Sequence, residues 1–468
     1  MTAGASLAII GGGLAGLAAA AALAGRGLRV ELFEARKKLG GRAGSFRDPA
    51  TGEAVDHCQH VSMGCCTNLA DFCRRTGIDD LFQRHDKLHF FGPDGSRYDF
   101  ASSAWLPAPL HLGPALMGLG YLTRGERLSI GRAMLRLARL PDRDTAADPT
   151  IGQWLVEQGQ SARACRDFWG VVLVSALGET LERASLRYAR QVFVDGFMSH
   201  RDGWKIEVPT APLGVVYGAR LEQWLASQDV KLHVGRGVEE LQGSAGGIRE
   251  VRLADGEKLA FDAVILAVPW RRVRHVLSPP LLAALPELAH AEQIEAAPIT
   301  GVHMWFDRPM TDLPHAVLVG KLSQWMFNRG DKDDTAGHYY QVVVSASRDL
   351  AGQNRESIVA QVHDDLASLW PAVRQARLLQ SRVVTEQQAV FSVRPGMDAW
   401  RPRQQSSIAN LFLAGDWTNT GWPATMEGAV RSGYLAAEAL LAARQTPQPI
   451  VVPSLPRGRL ARLLLGAT

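Results

Sequence analysis

Gly11-x-Gly13-x-x-Gly16 and, eighteen residues further on, Glu34 are the first residues whose types and spacing could do chemistry. The first glycine permits a tight turn, the second lets the backbone approach a pyrophosphate, and the third lets a helix pack closely on a strand. Phosphates would then sit on the N-terminus of that helix, held by backbone N–H groups. The Glu34 carboxylate would accept hydrogen bonds from a ribose diol. Ala15 and Ala35 are counted with these as contact positions. An adenine dinucleotide is expected.

Two later stretches extend the same chemistry. Gly40-Gly41-Arg42 offers further backbone donors and a fixed cation to a pyrophosphate, so Gly41 and Arg42 join the candidate site. Far along the chain, Asn410-Leu-Phe-Leu-Ala-Gly415-Asp416 reads as a buried strand ending in Gly-Asp. About ten residues later a helix begins near Thr425-Met426. Asp416 could bind a polyol hydroxyl, and the N–H groups and positive dipole end at Thr425-Met426 could face a ring that gains negative charge.

The stretch from Asp56 through His57, Cys58, Gln59 and His60 to Gly64-Cys65-Cys66-Thr67-Asn68 is open to three readings. A metal site would use the histidines and cysteines, although their spacing matches no zinc pattern and adjacent Cys65 and Cys66 are poorly placed to share a tetrahedron. A covalent cofactor link through His or Cys is the second. The third is a turn whose backbone passes the cofactor ring, with Thr67 or Asn68 capping the next helix. No metal is assigned.

Elements must position these residues. Leu7–Ile10, an Ala/Leu helix and Arg29–Glu34 read as one β-α-β unit. The continuous apolar run 261–269, stopped by Pro269, reads as a strand of a buried parallel sheet. Val230–Val234 alternates as a strand, and 237–241 should pair with 251–253 as a hairpin, with a second hairpin closed at Asp255-Gly256-Glu257. A further hairpin spans 88–100, and 150–200 read as apolar helices. Strands near 299–306, 323–327 and 339–345 should form a separate antiparallel sheet, with a helix over 350–369. Arg132, Arg136 and Arg139 line one side of an amphipathic helix that is either a solvated face or a membrane-surface patch. The tail, Pro456–Leu465, mixes three arginines with four leucines and is read as unstructured or as a contact with an anionic membrane surface.

At 468 residues the chain is too long for a single core and implies two domains. A composition 46% hydrophobic and 21% charged is that of an ordinary globular protein. A net charge of +4 without a Lys/Arg block argues against nucleic acid. Five cysteines, three of them between Cys58 and Cys66, do not form a disulfide framework, so a reducing compartment is expected. Met1 leads into a core strand within six residues, which leaves no room for a signal peptide, and no run of eighteen apolar residues without charge appears.

The Gly40-Gly41-Arg42-x-x-Ser45 stretch resembles the FAD-binding flavoprotein superfamily of amine oxidases, protoporphyrinogen oxidases and carotene desaturases. Asp56-x-x-Gln59-His60 followed by Gly64-Cys65-x-Thr67 is similar to the hydroxysqualene dehydroxylases, squalene-forming flavoenzymes of hopanoid biosynthesis in the carotenoid-desaturase branch. Cys58 stands where that family typically has glycine. The likeness is strongest in residues 7–77 and 410–434.

The resemblance implies an α/β fold in which a Rossmann-like FAD-binding domain (1–60, 215–275 and 405–445) is interleaved with an α+β substrate domain (61–214 and 276–404), followed by a tail at 446–468. It places Val238 at the adenine end of FAD, adds Gln59 and His60 to the cofactor contacts, and leaves His60 and Asp56 as the titratable pair closest to the flavin ring. It implies reductive removal of the hydroxyl of hydroxysqualene to give squalene, with phytoene-type desaturation as the alternative. Amine oxidation is less well matched, because Trp422 is the one aromatic that can be assigned to a substrate cage. A non-catalytic flavoprotein is the opposing class. The expected partners are an apolar isoprenoid, an electron donor for the flavin and a peripheral membrane contact, in a cytoplasmic protein on the inner face of the cell membrane.

Overall fold

A helix that is apolar on every side must be enclosed on every side. Leu14–Leu23, with the sequence LAGLAAAAAL, is such a helix, and all ten of its residues are buried. In the computed structural model, which describes residues 4–49, 52–143, 145–331 and 337–466, it lies between a parallel sheet and the long helix Met426–Ala443. The two helices cross at Gly433, where a Cβ would stand 2.2 Å from the Ala15 carbonyl oxygen and 2.9 Å from the Ala19 nitrogen.

The sheet has five strands in the order Lys231–Val234, Arg29–Glu34, Ser6–Ile10, Ala263–Leu266, Leu411–Leu413, and every neighbouring pair is parallel. Its three inner strands are nearly continuous runs of buried residues, as a sheet covered on both faces requires. Leu7 and Ile9 point into the helical layer. Ala8 and Ile10 point the other way, toward Leu241, Ile248 and Val251 of a three-stranded antiparallel sheet, Val238–Ser244, Gly247–Leu253 and Lys258–Leu259. The expected β-α-β unit and all three expected hairpins, that of 88–100 included, are therefore present.

A second sheet of seven strands runs Leu378–Phe391, Ala296–Phe306, His338–Ser345, Trp325–Asp331, His315–Leu318, Leu88–Phe91, Arg97–Phe100. All of its pairs are antiparallel except His315–Leu318 with Leu88–Phe91, so the expected antiparallel sheet is mixed at that one joint. The helix Arg355–Leu369 covers one face, packing Ile358, Val362 and Leu366 against Val302, Met304 and Phe306. It starts five residues later than the apolar pattern indicates, because Asn354 caps it by accepting from the Ser357 amide at 2.7 Å.

The helical segments between 110 and 227 surround the remaining core, and Arg124–Ala138 buries Ile130, Ala133, Leu137 and Ala138 while Arg132, Arg136 and Arg139 stay exposed. The C-terminal segment is no loose tail. Arg459–Leu465 forms a helix whose Ala461 and Leu465 pack on Ala138, Val194 and Met198. No helix among the described residues is long and apolar enough to cross a membrane.

Replacing Gly433 by Leu would drive a side chain into the backbone of the Leu14–Leu23 helix. The expected loss is about 1–3 kcal/mol or more, the usual range for overpacking, read as a lower urea midpoint.

Candidate functional site

The three glycines of the N-terminal motif meet three different constraints. Gly11 has φ +115°, and a Cβ there would lie 2.5 Å from the Ala267 carbonyl oxygen. A Cβ on Gly16 would lie 1.9 Å from the Gly11 carbonyl oxygen. Gly13 is the N-cap of the Leu14–Leu23 helix, and its missing side chain faces open space, with Gly41 Cα the nearest atom at 4.0 Å. This is a cradle that any side chain would fill. Gly40 donates its amide to the Gly12 carbonyl at 2.8 Å, which lays the second glycine pair across the first.

Glu34, at the end of its strand, accepts from the Gly12 amide and the Arg36 amide, each at 2.7 Å. Its carboxylate is thereby fixed beside the glycine loop. The backbone at Gly237 comes so close to Ala35 that a Cβ would stand 3.0 Å from the Ala35 Cβ, which brings the Val238 strand to the same end of the sheet.

The C-terminal motif meets this loop through one ion pair. Arg42 Nη2 lies 2.6 Å from Asp416 Oδ1, across 374 residues of sequence, and its Nη1 donates to the Ala389 carbonyl at 2.8 Å. Asp416 is buried. The Gly415-Asp416 turn is held from behind by the Ser432 hydroxyl, which accepts from the Gly415 amide at 2.8 Å. Arg401 donates to the carbonyls of Asp416 and Thr418 at 3.0 and 2.6 Å. Thr425 caps the following helix, accepting from the Gly428 amide at 3.0 Å, and the amides of Met426 and Glu427 in its first turn have no partner within the helix.

Glu427, in the first turn of that helix, faces away from this N-terminus. Its buried carboxylate accepts from the Leu69 amide at 2.7 Å and from the Asn68 side chain at 2.8 Å, capping the Thr67–Thr76 helix. Burial pushes its carboxyl above the usual range, against the pull of those donors.

Asp56 and His60 are brought near each other but serve different neighbours. Asp56 Oδ1 accepts from the Ser45 hydroxyl at 2.6 Å and from the Leu213 amide at 2.8 Å, while Gly214 donates to the same hydroxyl at 2.7 Å. It is a buried clasp between two chain segments. His60 Nδ1 lies 3.0 Å from the Cys58 carbonyl. A carbonyl only accepts, so Nδ1 carries the proton and Nε2 is the bare acceptor of a neutral ring. Burial holds the His60 imidazole below its ordinary pKa, with the Cys58 carbonyl and Asp56 opposing, so the neutral ring is favoured. Gln59 donates to the His60 carbonyl at 3.0 Å, while its Oε1 is buried with no partner among the described residues. A buried orphan acceptor fits a donor supplied by a ligand.

Burial pushes the Cys58 thiol up to about 12, and bonding to Cys66 together with burial raises Cys65. Both are held as thiols rather than reactive thiolates in this fold. Among the described residues no group of three His, Cys, Asp or Glu is arranged to hold a metal ion. Gly41, Arg42, His57, Trp270 and Glu386 line a small cavity of about 100 Å³ beside the ion pair. Among the described residues no aromatic ring stacks on Trp422.

The family model for flavin-containing amine oxidoreductases matches residues 14–441. The chain belongs to that family. It is 27% identical to the 15-cis-phytoene desaturase of Synechococcus elongatus, over 93% of this chain and 96% of the relative. It is also 27% identical to the hydroxysqualene dehydroxylase of Sinorhizobium fredii, over 94% of this chain and 99% of the relative. Among solved structures, cyclohexylamine oxidase from Brevibacterium oxydans superposes with a TM-score of 0.70 at 17% identity, covering 94% of this chain and 99% of that one. A putrescine oxidase bound to putrescine gives 0.69 at 17% identity with the same coverage. The fold is that of the amine-oxidase-type flavoproteins, and FAD is the cofactor of this oxidoreductase.

The glycines, Glu34, Arg42, Asp416 and Thr425, far apart in sequence, converge on one crevice of this flavoprotein. Sequence reasoning missed Glu427, Arg401 and Ser432. Their roles are contacts across the fold, and the one signal available for Glu427 was an acid in a first helical turn.

Gly13→Val should leave the thermal midpoint of the apoprotein near the parent value, because the added atoms enter open space, while FAD binding is lost. Flavin retained through desalting would show that the cradle is not the phosphate site.

Proposed function

We propose that this flavoprotein reductively removes the hydroxyl of hydroxysqualene to give squalene. The observation that carries the reading is the Asp56-x-x-Gln59-His60 turn, the stretch similar to the dehydroxylases, lying beside Arg42 and the small cavity. The coverage of the Sinorhizobium fredii dehydroxylase almost from end to end supports it. Amine oxidation is the less favoured reading, since Trp422 is the one aromatic that the sequence assigns to a substrate cage.

The substrate's hydroxyl is allylic. It leaves as water with one added proton, and a hydride takes its place. FAD in its reduced form supplies that hydride. The chain's own residues bind and orient. The Gly13 cradle, Glu34 and the Arg42–Asp416 pair hold the cofactor, with Ala15, Ala35, Gly41, Val238 and Met426 along its length. Gln59 Oε1 takes a donor from the ligand. His60 presents Nε2 as an acceptor, which orients the hydroxyl rather than protonating it. Asp56 keeps the turn in place and acts as a positioning residue.

The phytoene desaturase of Synechococcus elongatus, equally identical, supports a second reading, in which hydride moves from substrate to flavin. Anaerobic mixing separates the two. Photoreduced holoenzyme given hydroxysqualene should regain the oxidised flavin spectrum and form squalene. If hydroxysqualene leaves the reduced spectrum untouched while phytoene bleaches the oxidised form, the desaturase reading replaces ours.

Such a substrate is too apolar to travel through water, so we place the protein on the inner face of the cell membrane. Supporting this, Trp105 is 92% exposed and Leu463 79% exposed, with Arg132, Arg136 and Arg462 exposed as well. Trp105→Asp combined with Leu463→Asp is expected to reduce co-sedimentation with anionic liposomes. Unchanged partitioning would remove these residues from the membrane contact.

A further inference from the structure

A cavity of about 620 Å³ opens between the first turn of the Arg355–Leu369 helix and the edge of the seven-stranded sheet. Three arginines, Arg271, Arg348 and Arg355, line it, and no Asp or Glu does. Arg348 is committed to the buried Glu179, donating to both of its oxygens at 2.6 and 2.8 Å. Arg271 and Arg355 are exposed and have no ion pair or hydrogen bond among the described residues. The lining residues Gly352 and Gln353 lead into Arg355, the first residue of a fifteen-residue helix, so its positive dipole end faces the same space.

Glu386 lines the smaller cavity beside Arg42 and Trp270. Gln388 lines both cavities, and Arg271 follows Trp270 directly. The larger space therefore abuts the crevice that holds the cofactor.

We propose that this cavity binds a diphosphate-bearing nucleotide, and that its natural occupant is the reduced dinucleotide that recharges the flavin. A bare phosphate would leave most of it empty, since volumes of about 300–1,000 Å³ suit organic ligands. The guanidinium groups of Arg271 and Arg355 match phosphate oxygens in fork geometry. Gln387 and Gln388 have side-chain amides without hydrogen bonds among the described residues, free to meet a base or sugar edge, and Leu350, Ile358 and Val383 supply apolar wall. The inference deepens the dehydroxylase reading and rests on it for the occupant's role. One dinucleotide gives up one hydride, and one substrate hydroxyl leaves as water with one proton, so each turnover consumes one reduced dinucleotide.

The test is calorimetric titration of FAD-saturated holoenzyme with NADPH, ADP, glycerol phosphate and inorganic pyrophosphate, which keeps adenine nucleotides out of the flavin's own site. NADPH and ADP should bind saturably, more tightly than the other two, and more weakly as salt is raised. Arg271→Gln with Arg355→Gln should weaken NADPH at least tenfold while FAD content, thermal midpoint and dithionite-driven squalene formation stay at parent values. Equal binding by parent and double variant, or no saturable binding, overturns the proposal. Pyrophosphate or glycerol phosphate binding as tightly as ADP overturns the nucleotide assignment and leaves an anion or lipid-headgroup site. Failure of squalene formation from dithionite-reduced enzyme would count against the dehydroxylase reading alone, since the titration does not depend on it.

Discussion

Everything in the crevice depends on how closely three backbones approach one another around the Leu14–Leu23 helix. The helix meets the sheet through Gly11 and Gly16 and meets the Met426–Ala443 helix through Gly433, and at each contact a single methyl group would overlap a main-chain oxygen. Dispersion at such distances is weak per atom but summed over many atoms, and it favours one geometry sharply. That geometry sets the N-terminus of one helix and the N-terminus of the other against the same space. The glycine cradle and the Thr425 cap are where they are because of packing far from any ligand.

Charge is placed on this frame sparingly. The Arg42–Asp416 pair joins the first and last motifs, and Asp416 is buried while Arg42 keeps part of its surface exposed. A pair like this contributes little net stability, since desolvation offsets attraction, but losing one partner strands a buried charge. Its value is registration. Asp56 and Glu427 act similarly, one clasping Ser45 to Leu213 and the other capping the Thr67–Thr76 helix from 358 residues away. Asp56, the one carboxylate read as a catalytic candidate, accepts from a hydroxyl and a main-chain amide.

What could be read in advance follows the range of the interaction. The β-α-β unit, the hairpins and the start of a helix near Thr425-Met426 depend on neighbours within a few residues, and glycine spacing or apolar periodicity records them, whereas Thr67 and Asn68, expected as caps, lie inside a helix whose N-cap is Cys66. The strand Leu378–Phe391 left no such record: LLQSRVVTEQQAVF does not alternate cleanly, because it is an edge strand that stays partly exposed along most of its length. The π-helical turns at Cys165–Gly170, Val192–Met198 and Val215–Ala219 are equally silent, since one extra residue in a turn shifts no composition. Arg401 and Ser432 were invisible for the opposite reason, being ordinary residues given meaning by a loop they touch only in the finished fold. The Arg459–Leu465 helix was read as a free tail because its apolar partners, Val194 and Met198, lie more than two hundred residues earlier.

The order of the five parallel strands has a consequence for synthesis. The sheet takes its middle strand from residues 6–10, the next from 263–266 and its last from 411–413, and the helix that closes over Leu14–Leu23 begins at Met426. A ribosome must therefore deliver about nine-tenths of the chain before that ten-residue apolar helix is fully covered. Until residues 426–443 are in place, one of the most hydrophobic segments of the chain keeps an open face. The glycine cradle at the N-terminus of Leu14–Leu23 is therefore completed late, by the last strand and the last long helix of the sheet layer.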